Sequence, residues 1–470
     1  MTTLTTSSPS PTTTERRFPL WLVIVAVSLP MFMATLDNLV MTTALPVIQR
    51  DLHASVGELS WFLNSYTLAF ATFMLPAGTL GDRIGRRRMM VIGLSVFTLA
   101  SIGAALSDSS NTLIAARAVQ GLGAAAVMPL SLTLLAANVP EKMRAAAIGI
   151  WGGVSGLGVA LGPVIGGAVV DGMSWQAIFW INVPVAVIAL PLIWLTVRES
   201  KGTWQRLDPL GTLLIGVAVF AGIWGVVHGN DDGWTSAGVL IPLILAAVLL
   251  PAYVVHARRR SDAVLPLRLF RSRSFTVANV VALGFCAGMF GAVFLLSQYL
   301  QVVNGYTPLE AGIRTLPWTA APMVIAPLAG IASSRIGLRP LLLVGLALQA
   351  CALVWFATLG ESGASYGSFV PALVMAGVGM GMVFPSVSNA VMGGLPESDF
   401  AVASSSNSTI REFGVALGIA LLTAVFTGNG GQITPTGYDG AIGPALLTGA
   451  AAVLVGFIAA LFTPRRTTGG

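Results

Sequence analysis

Charge is what this chain of 470 residues has least of: 25 lysines and arginines and 19 acids make up 9% of it. A soluble domain carries about a quarter charged residues, because its surface must be wetted. So few charges cannot wet a surface of this size, which excludes a soluble globular enzyme and leaves lipid as the solvent. Cysteine is almost absent. Cys286 and Cys351 are the only two, and both fall in apolar runs. They are too few and too far apart for a disulfide or metal framework, so they read as buried small hydrophobes. The three histidines, His53, His228 and His256, never form H-E-x-x-H, and no metal site is expected. No Walker loop is present to cradle phosphates, which argues against ATP as a driving force, and no cofactor is expected. Gly363-Ala-Ser365-Tyr-Gly367 fits a hydrolase nucleophile pattern, but it lies between apolar runs with no strand before it. Nothing in the chain calls for an enzyme.

What is present is apolar and long. Hydrophobic residues make up 55% of the sequence, in runs of about 20 residues that do not alternate, as membrane helices do and β-barrel strands do not. Fourteen such runs are expected to span, over about 18–46, 57–79, 87–107, 110–138, 143–171, 175–197, 207–228, 236–257, 274–303, 309–333, 338–360, 367–394, 400–427 and 441–463. Residues 1–15 are too rich in Ser, Thr and Pro to bury anything and read as a disordered tail. The first run is too long for a signal peptide and has no small-residue cleavage site.

Placing the N-terminus in the cytoplasm and alternating puts 21 of the 25 bases on the cytoplasmic side, as membrane orientation requires. Only Arg50 and Arg314 then fall outside, while Arg117 and Arg411 lie within helices. The net charge of +6 therefore follows from loop placement, and no nucleic acid partner is implied.

The chain also repeats itself. Gly158-Val-Ala-Leu-Gly162 recurs 256 residues later as Gly414-Val-Ala-Leu-Gly418. At the same spacing Gly121, Gly123, Val127 and Pro129 match Gly377, Gly379, Val383 and Pro385. Gly78…Arg83-Ile-Gly85 likewise matches Gly330…Arg335-Ile-Gly337 at a spacing of 252. Three matches in order mean duplication. An all-α polytopic membrane protein follows, with two six-helix bundles (16–199 and 263–466), a two-helix insert (200–262) and a short tail (467–470). Repeats of this kind place a substrate site between the halves near the midplane.

Four motifs resemble one family. Gly78-Thr-Leu-Gly-Asp82-Arg83-Ile-Gly85-Arg86-Arg87-Arg88 looks like the signature of the major facilitator superfamily, between its second and third helices. Leu36-Asp37…Ala44-Leu45-Pro46 resembles the first-helix motif of its fourteen-helix drug:proton antiporter branch. Ala115-Ala-Arg117-Ala-Val-Gln120-Gly121 is similar to the fourth-helix motif, and Gly158…Gly162-Pro163…Gly166-Gly167 to the fifth-helix antiporter motif. The branch usually carries Thr and Asn where this chain has Leu39 and Thr42, so the details of substrate recognition do not carry over. The resemblance implies a proton-coupled antiporter that exports small lipophilic drugs or secondary metabolites across the bacterial cytoplasmic membrane. Its partners are then the substrate, protons and the bilayer, and a monomer is expected. A proton-coupled metabolite importer on the same fold and a non-transporting membrane sensor are the alternatives.

The chemistry of particular residues sharpens this. Ionisable groups inside a membrane helix are costly, so function is their default reading. Asp37 can bind a proton, and Arg117, at similar depth on another helix, can modulate it. The rival reading is a fixed pair that locks two helices. Arg117 has no counterpart in the second half, where the matching residue is Leu373, which argues against a general packing device. Asp82, in its turn of Gly78, Gly81, Arg83, Gly85 and Arg86, can cap the positive end of a helix from the other half and hold the cytoplasmic side shut. The resemblance places that partner helix near Ala403–Ser404. Gly158, Gly162 and Gly166 form a ridge for close backbone approach, with Pro163 interrupting the helix. Glu412 reads as a second proton site or a cation-binding carboxylate, with Arg411 beside it. Trp61, Tyr66, Trp318 and Phe384 are the candidate cavity aromatics, although tryptophans also anchor helices at interfaces. Glu58 and Glu310 read as helix caps.

Overall fold

A computed structural model describes residues 18–201, 208–229, 232–260, 262–263, 265–362, 365–396 and 399–464. Both expected tails, with Arg16, Arg17, Arg465 and Arg466, lie outside the described residues. Among those residues the regular structure is entirely helical. The helices are α1 (Leu20–Leu52), α2 (Val56–Ile84), α3 (Arg86–Ala105), α4 (Ser110–Asn138), α5 (Glu141–Gly172), α6 (Ala177–Trp180), α7 (Asn182–Thr196), α8 (Pro209–His228) and α9 (Ala237–Arg258). They continue as α10 (Arg273–Val302), α11 (Pro308–Thr319), α12 (Ala321–Ile336), α13 (Leu338–Ser362), α14 (Tyr366–Met392), α15 (Phe400–Gly428) and α16 (Ile442–Ala460).

Among the described residues, twelve spans are long and apolar enough to cross a membrane, with α6–α7 and α11–α12 each counted as one. The other two helices of the expected fourteen, α2 and α5, run for 29 and 32 residues beside α4 and α1. The expected fourteen thus fits approximately, with twelve spans meeting the length and apolarity of a crossing helix.

The repeat is visible in how glycines let backbones touch. In the first half, a Cβ on Gly162 would meet Leu39 of α1 at 2.6 Å, and one on Gly123 would meet the Gly93 carbonyl of α3 at 2.7 Å. In the second half, a Cβ on Gly418 would meet the Ala287 carbonyl of α10 at 2.0 Å, and one on Gly379 the Gly345 carbonyl of α13 at 2.6 Å. Matched glycines therefore make matched contacts. Small residues are the usual means of close helix packing in lipid. Between the halves, α8 and α9 pair as a hairpin, and α8 lies against α2 and α15.

Two departures from the sequence expectation have physical causes. The first helix does not end at Pro46 but continues to Leu52, where His53 takes the left-handed conformation at φ 51°. Proline removes the donor that would bond the carbonyl four residues back. That carbonyl, on Thr42, instead accepts from Ser297 Oγ of α10 at 3.2 Å. Asp37 consequently sits near the middle of α1, deeper than a helix ending at Pro46 would place it. The second departure concerns cysteine: Cys286 is buried in α10, but Cys351 lies on an exposed flank of α13.

Candidate functional site

The face where α1 begins carries the arginine-rich loops and is called the basic face below; the other end of the bundle is the far face. Between them, inside the first half, four helices and a helix break bring polar groups together around Asp37. The α4 helix starts at a capping box, Ser109 with Thr112, and Arg117 lies two turns inside it. Gly121, one turn further on, lets α4 press directly against α2, since a Cβ there would meet the Tyr66 carbonyl at 2.3 Å. This contact brings the Arg117 guanidinium to the α2 backbone, and its Nε donates to the Phe62 carbonyl at 3.1 Å.

Arg117 Nη1 then bonds Asp37 Oδ2 at 2.5 Å and Gln120 Oε1 at 2.7 Å. The other carboxylate oxygen, Oδ1, accepts from Gln120 Nε2 at 2.9 Å and from Asn182 Nδ2 at 2.7 Å. Asn182 also reaches Ser101 Oγ at 2.9 Å, and that hydroxyl donates to the Phe179 carbonyl. Asp37, Arg117, Gln120, Asn182 and Ser101 are all buried, Arg117 completely. The guanidinium also lies over the Tyr66 ring, 4.4 Å from its centroid. A buried ion pair repays its desolvation only when the remaining hydrogen-bonding positions are filled. Here they nearly are, with only Arg117 Nη2 left without a partner.

Asn182 was not singled out by the sequence reading. It starts α7, directly after the break at Ile181, where Pro184 deprives the Trp180 carbonyl of a donor. Its signal was available. A polar side chain in an apolar membrane run invites the same question as a charge does.

At the basic face, Asp82 accepts from Arg86 Nε at 2.7 Å, so in this conformer it is held within its own turn. Asp399, which begins α15, is likewise held within its own half by Arg268 at 2.6 and 2.9 Å. Glu199 fastens the turn from the other side: its oxygens accept from the backbone N–H of Arg87 at 2.9 Å and of Arg88 at 3.3 Å. A carboxylate there also complements the positive start of α3. Gly85, at φ 116°, leaves room for it, since a Cβ would meet Glu199 Oε2 at 2.6 Å. Gly78 has open space around it.

At the far face the halves are joined. Ser297 and Gln301 of α10 donate to the carbonyls of Thr42 and Thr43 in α1, at 3.2 and 2.8 Å. The ridge Gly158, Gly162, Gly166 packs α5 onto α1 within the first half, and the contact across halves falls on its flank. There a Cβ on Gly167 would meet the Pro308 carbonyl of α11 at 2.3 Å, and one on Gly312 the Pro163 carbonyl at 2.1 Å. A further hydrogen bond across the halves, Thr319 Oγ1 to the Ala160 carbonyl at 3.5 Å, lies at mid-depth.

The remaining candidates separate. Arg411 sits over the Phe384 ring at 5.4 Å, and Phe384 packs edge-on against Phe285. Glu412 has no ion-pair partner among the described residues, yet it lies near enough to act electrostatically on both Tyr66 and Cys286, one in each half. Trp318 stacks on Phe356 in the core. Trp61 lines a cavity of about 1470 Å³ walled by α2, α4 and α8, with Arg260, Asp262, Arg268 and Val402 of α15 at its basic end. Glu58 and Glu310 close capping boxes with Ser55 and Thr307. Among the described residues no cluster of His, Cys, Asp or Glu has the form of a metal site.

Comparison with known proteins gives the family. The family model described as Major Facilitator Superfamily matches residues 27–419. The chain belongs to that superfamily. It is 37% identical over 406 residues to the multidrug resistance protein Stp of Mycobacterium tuberculosis, covering 86% of this chain and 75% of that one. It is 33% identical over 417 residues to the tetracenomycin C resistance and export protein of Streptomyces glaucescens, covering 88% and 77%. Among solved structures, a POT family transporter in complex with 5-aminolevulinic acid superposes with a TM-score of 0.71 over 94% of this chain and 96% of its own, at 16% identity. That likeness concerns the fold alone. As a member of the superfamily the chain is a membrane transporter, and the buried Asp37 cluster and the joined far face are to be read as parts of one.

Proposed function

We propose that this chain is a proton-coupled antiporter that exports lipophilic drugs or secondary metabolites, with its basic face in the cytoplasm. One observation carries the reading: a carboxylate buried near the middle of α1, surrounded only by donors from α4 and α7. A proton arriving on Asp37 cancels its attraction for Arg117 and replaces an accepting lone pair with a donor. The new O–H meets N–H donors where it needs an acceptor, so α1, α4 and α7 must rearrange. Proton binding is thereby turned into helix movement. The printed names of the two bacterial relatives, a multidrug resistance protein and a resistance and export protein, favour export and a lipophilic cargo. The energy is adequate: one proton falling through ~150 mV supplies about 3.5 kcal/mol, enough for a gradient of a few hundredfold.

The test uses everted membrane vesicles, in which an exporter pumps inward. Energising them should drive accumulation of a fluorescent lipophilic dye, and a protonophore should abolish it within seconds. Accumulation that survives the protonophore, or that requires ATP instead, would refute proton coupling.

The joined far face and the separate Asp82 and Asp399 pairs support an inward-facing conformer with its latch disengaged. When the latch engages, Asp82 must exchange Arg86 for the start of α15. Asp82→Asn removes the charge that makes this exchange worthwhile. It is expected to lower transport at least tenfold, worth about 1.4 kcal/mol, with normal abundance. Cysteines placed where α2 and α15 face each other near the basic face should become more reactive from the cytoplasmic side. Unchanged transport and labelling would leave the loop only an orientation signal.

A further inference from the structure

From Arg258 to Arg273 the chain that joins α9 to α10 carries six arginines. Orientation in the membrane explains basic loops in general, but it says nothing of what lies beside this one. At its start is a groove of about 630 Å³ that shares no lining residue with the cavity of Trp61. Its walls are Ile215 of α8, Leu250 and Val254 of α9, Leu265 of the connection, and Phe270 of a 3-10 turn at Leu267–Arg271. Tyr253, only 3% exposed, fixes these walls together. Its hydroxyl accepts from the Leu265 N–H at 2.8 Å and donates to the Leu265 carbonyl at 3.1 Å, which ties the connection to α9. Without that tie α9 would pack against little but α8 and the turn.

Length and charge together select the occupant. Along α9 the groove runs from Leu250 to Arg258, about 12 Å at ~1.5 Å per residue, close to the ~15 Å of hydrocarbon in one leaflet. Arg258 stands at the basic end and is the only charged residue among the described lining. It is exposed and has no ion-pair partner among the described residues. The nearby acids Asp208 and Asp262 line the other cavity and are engaged by Arg260, at 3.7 and 3.1 Å. No carboxylate therefore faces this groove. A zwitterionic head group would bring its own cation and find no acid for it, whereas an anionic one needs only the arginine. A drug-sized lipophile is held by several placed polar groups, and here the Tyr253 hydroxyl is already engaged.

We propose that this groove holds an anionic phospholipid of the leaflet at the basic face, with one acyl chain along Val254 and Phe270 and its phosphate on Arg258. Arg271, which follows Phe270 and is exposed, adds to the positive field at the head-group level. The lipid then fills the seam between the α8–α9 insert and the start of the second half. Basic residues beside a membrane helix attract anionic lipid through the surface field; the groove turns that attraction into a site. The proposal goes beyond the export reading and does not depend on what the chain transports.

The experiment counts bound lipid. The full chain, delipidated in dodecyl maltoside, is titrated with dioleoylphosphatidylglycerol or dioleoylphosphatidylcholine and read by native mass spectrometry. The first phosphatidylglycerol should bind about fivefold more tightly than the first phosphatidylcholine, the worth of one arginine at the interface. Arg258→Gln should bring the two lipids level. Val254→Trp, which fills the groove from the α9 side, should weaken the first phosphatidylglycerol by a similar factor while Arg258 is still present. Arg335→Gln, an exposed arginine at the same face but away from the groove, should leave the preference within twofold. Equal binding of the two lipids to the unaltered chain, or a preference that survives Arg258→Gln, overturns the proposal. So does an equal loss in Arg335→Gln, which would reduce the arginines to a general attraction. Unchanged binding in Val254→Trp, or displacement of the lipid by glycerol 3-phosphate alone, would show that no acyl chain lies in the groove and overturns it as well.

Discussion

Asp37→Asn is expected to abolish concentrative transport, lowering dye accumulation in everted vesicles on the order of a hundredfold. The substitution is nearly isosteric, and the new side chain can still accept from Arg117. It cannot take up and release a proton, so the rearrangement of α1, α4 and α7 is never triggered. Folding is a real concern, because Arg117 is fully buried and loses its counter-charge; stranding one partner of a buried pair costs about 3–5 kcal/mol. Two measurements separate lost coupling from lost protein. Abundance in the membrane should fall at most severalfold, far less than transport. Arg117→Lys keeps the charge but loses the planar fork that reaches Asp37, Gln120 and Phe62 together, and should retain partial transport with a displaced pH profile. Full proton-dependent accumulation in Asp37→Asn would move the coupling acid elsewhere, to Glu412 first.

Much of this cluster could be read before the fold was known, and the part that could not has a physical explanation. Asp37 and Arg117 stand out in sequence because a charge in an apolar run has few innocent explanations. The helices and their pairing were legible for a related reason: matched glycines, such as Gly123 with Gly379, mark where backbones touch, and the repeat preserves them. Asn182 and Glu199 act from positions that no periodicity singles out. One begins a helix after a proline-induced break, and the other caps a helix more than a hundred residues before it in the chain. Trp61 was read as a candidate cavity aromatic, but the cavity it lines depends on where α8 rests against α2, which no sequence pattern states. The same limit applied to the glycine ridge. Spacing shows that Gly158, Gly162 and Gly166 share one face; only packing shows that this face meets α1, leaving the contact across the halves to Gly167 and Gly312.

That contact leads to the other large expected effect. Gly312→Val is expected to stop transport while leaving the protein abundant, by preventing the far face from closing. A Cβ at this position would meet the Pro163 carbonyl at 2.1 Å and the Val164 nitrogen at 3.0 Å. Both are backbone atoms, so no side chain can swing away, and α11 must withdraw from α5. Overpacking of this kind costs about 1–3 kcal/mol, and all of it falls on the closed far face. In a conformer where α5 and α11 have parted, the added methyl groups face open space and cost nothing. A conformational equilibrium responds to such a difference by about tenfold for each 1.4 kcal/mol. The population should therefore move toward far-face-open forms, and the carbonyls of Thr42 and Thr43 should lose their bonds to Ser297 and Gln301. A cysteine at Thr43, buried at the joined face, should become reactive to membrane-impermeant maleimide from outside the cell in the Gly312→Val background. Gly158→Ala is the contrast, since its Cβ would meet only the Thr35 side chain and the Phe32 carbonyl at 3.2 and 3.3 Å within one half. It should cost little transport and leave the labelling unchanged. Normal transport in Gly312→Val, or loss of transport without added labelling at Thr43, would show that α5 and α11 do not form the gate.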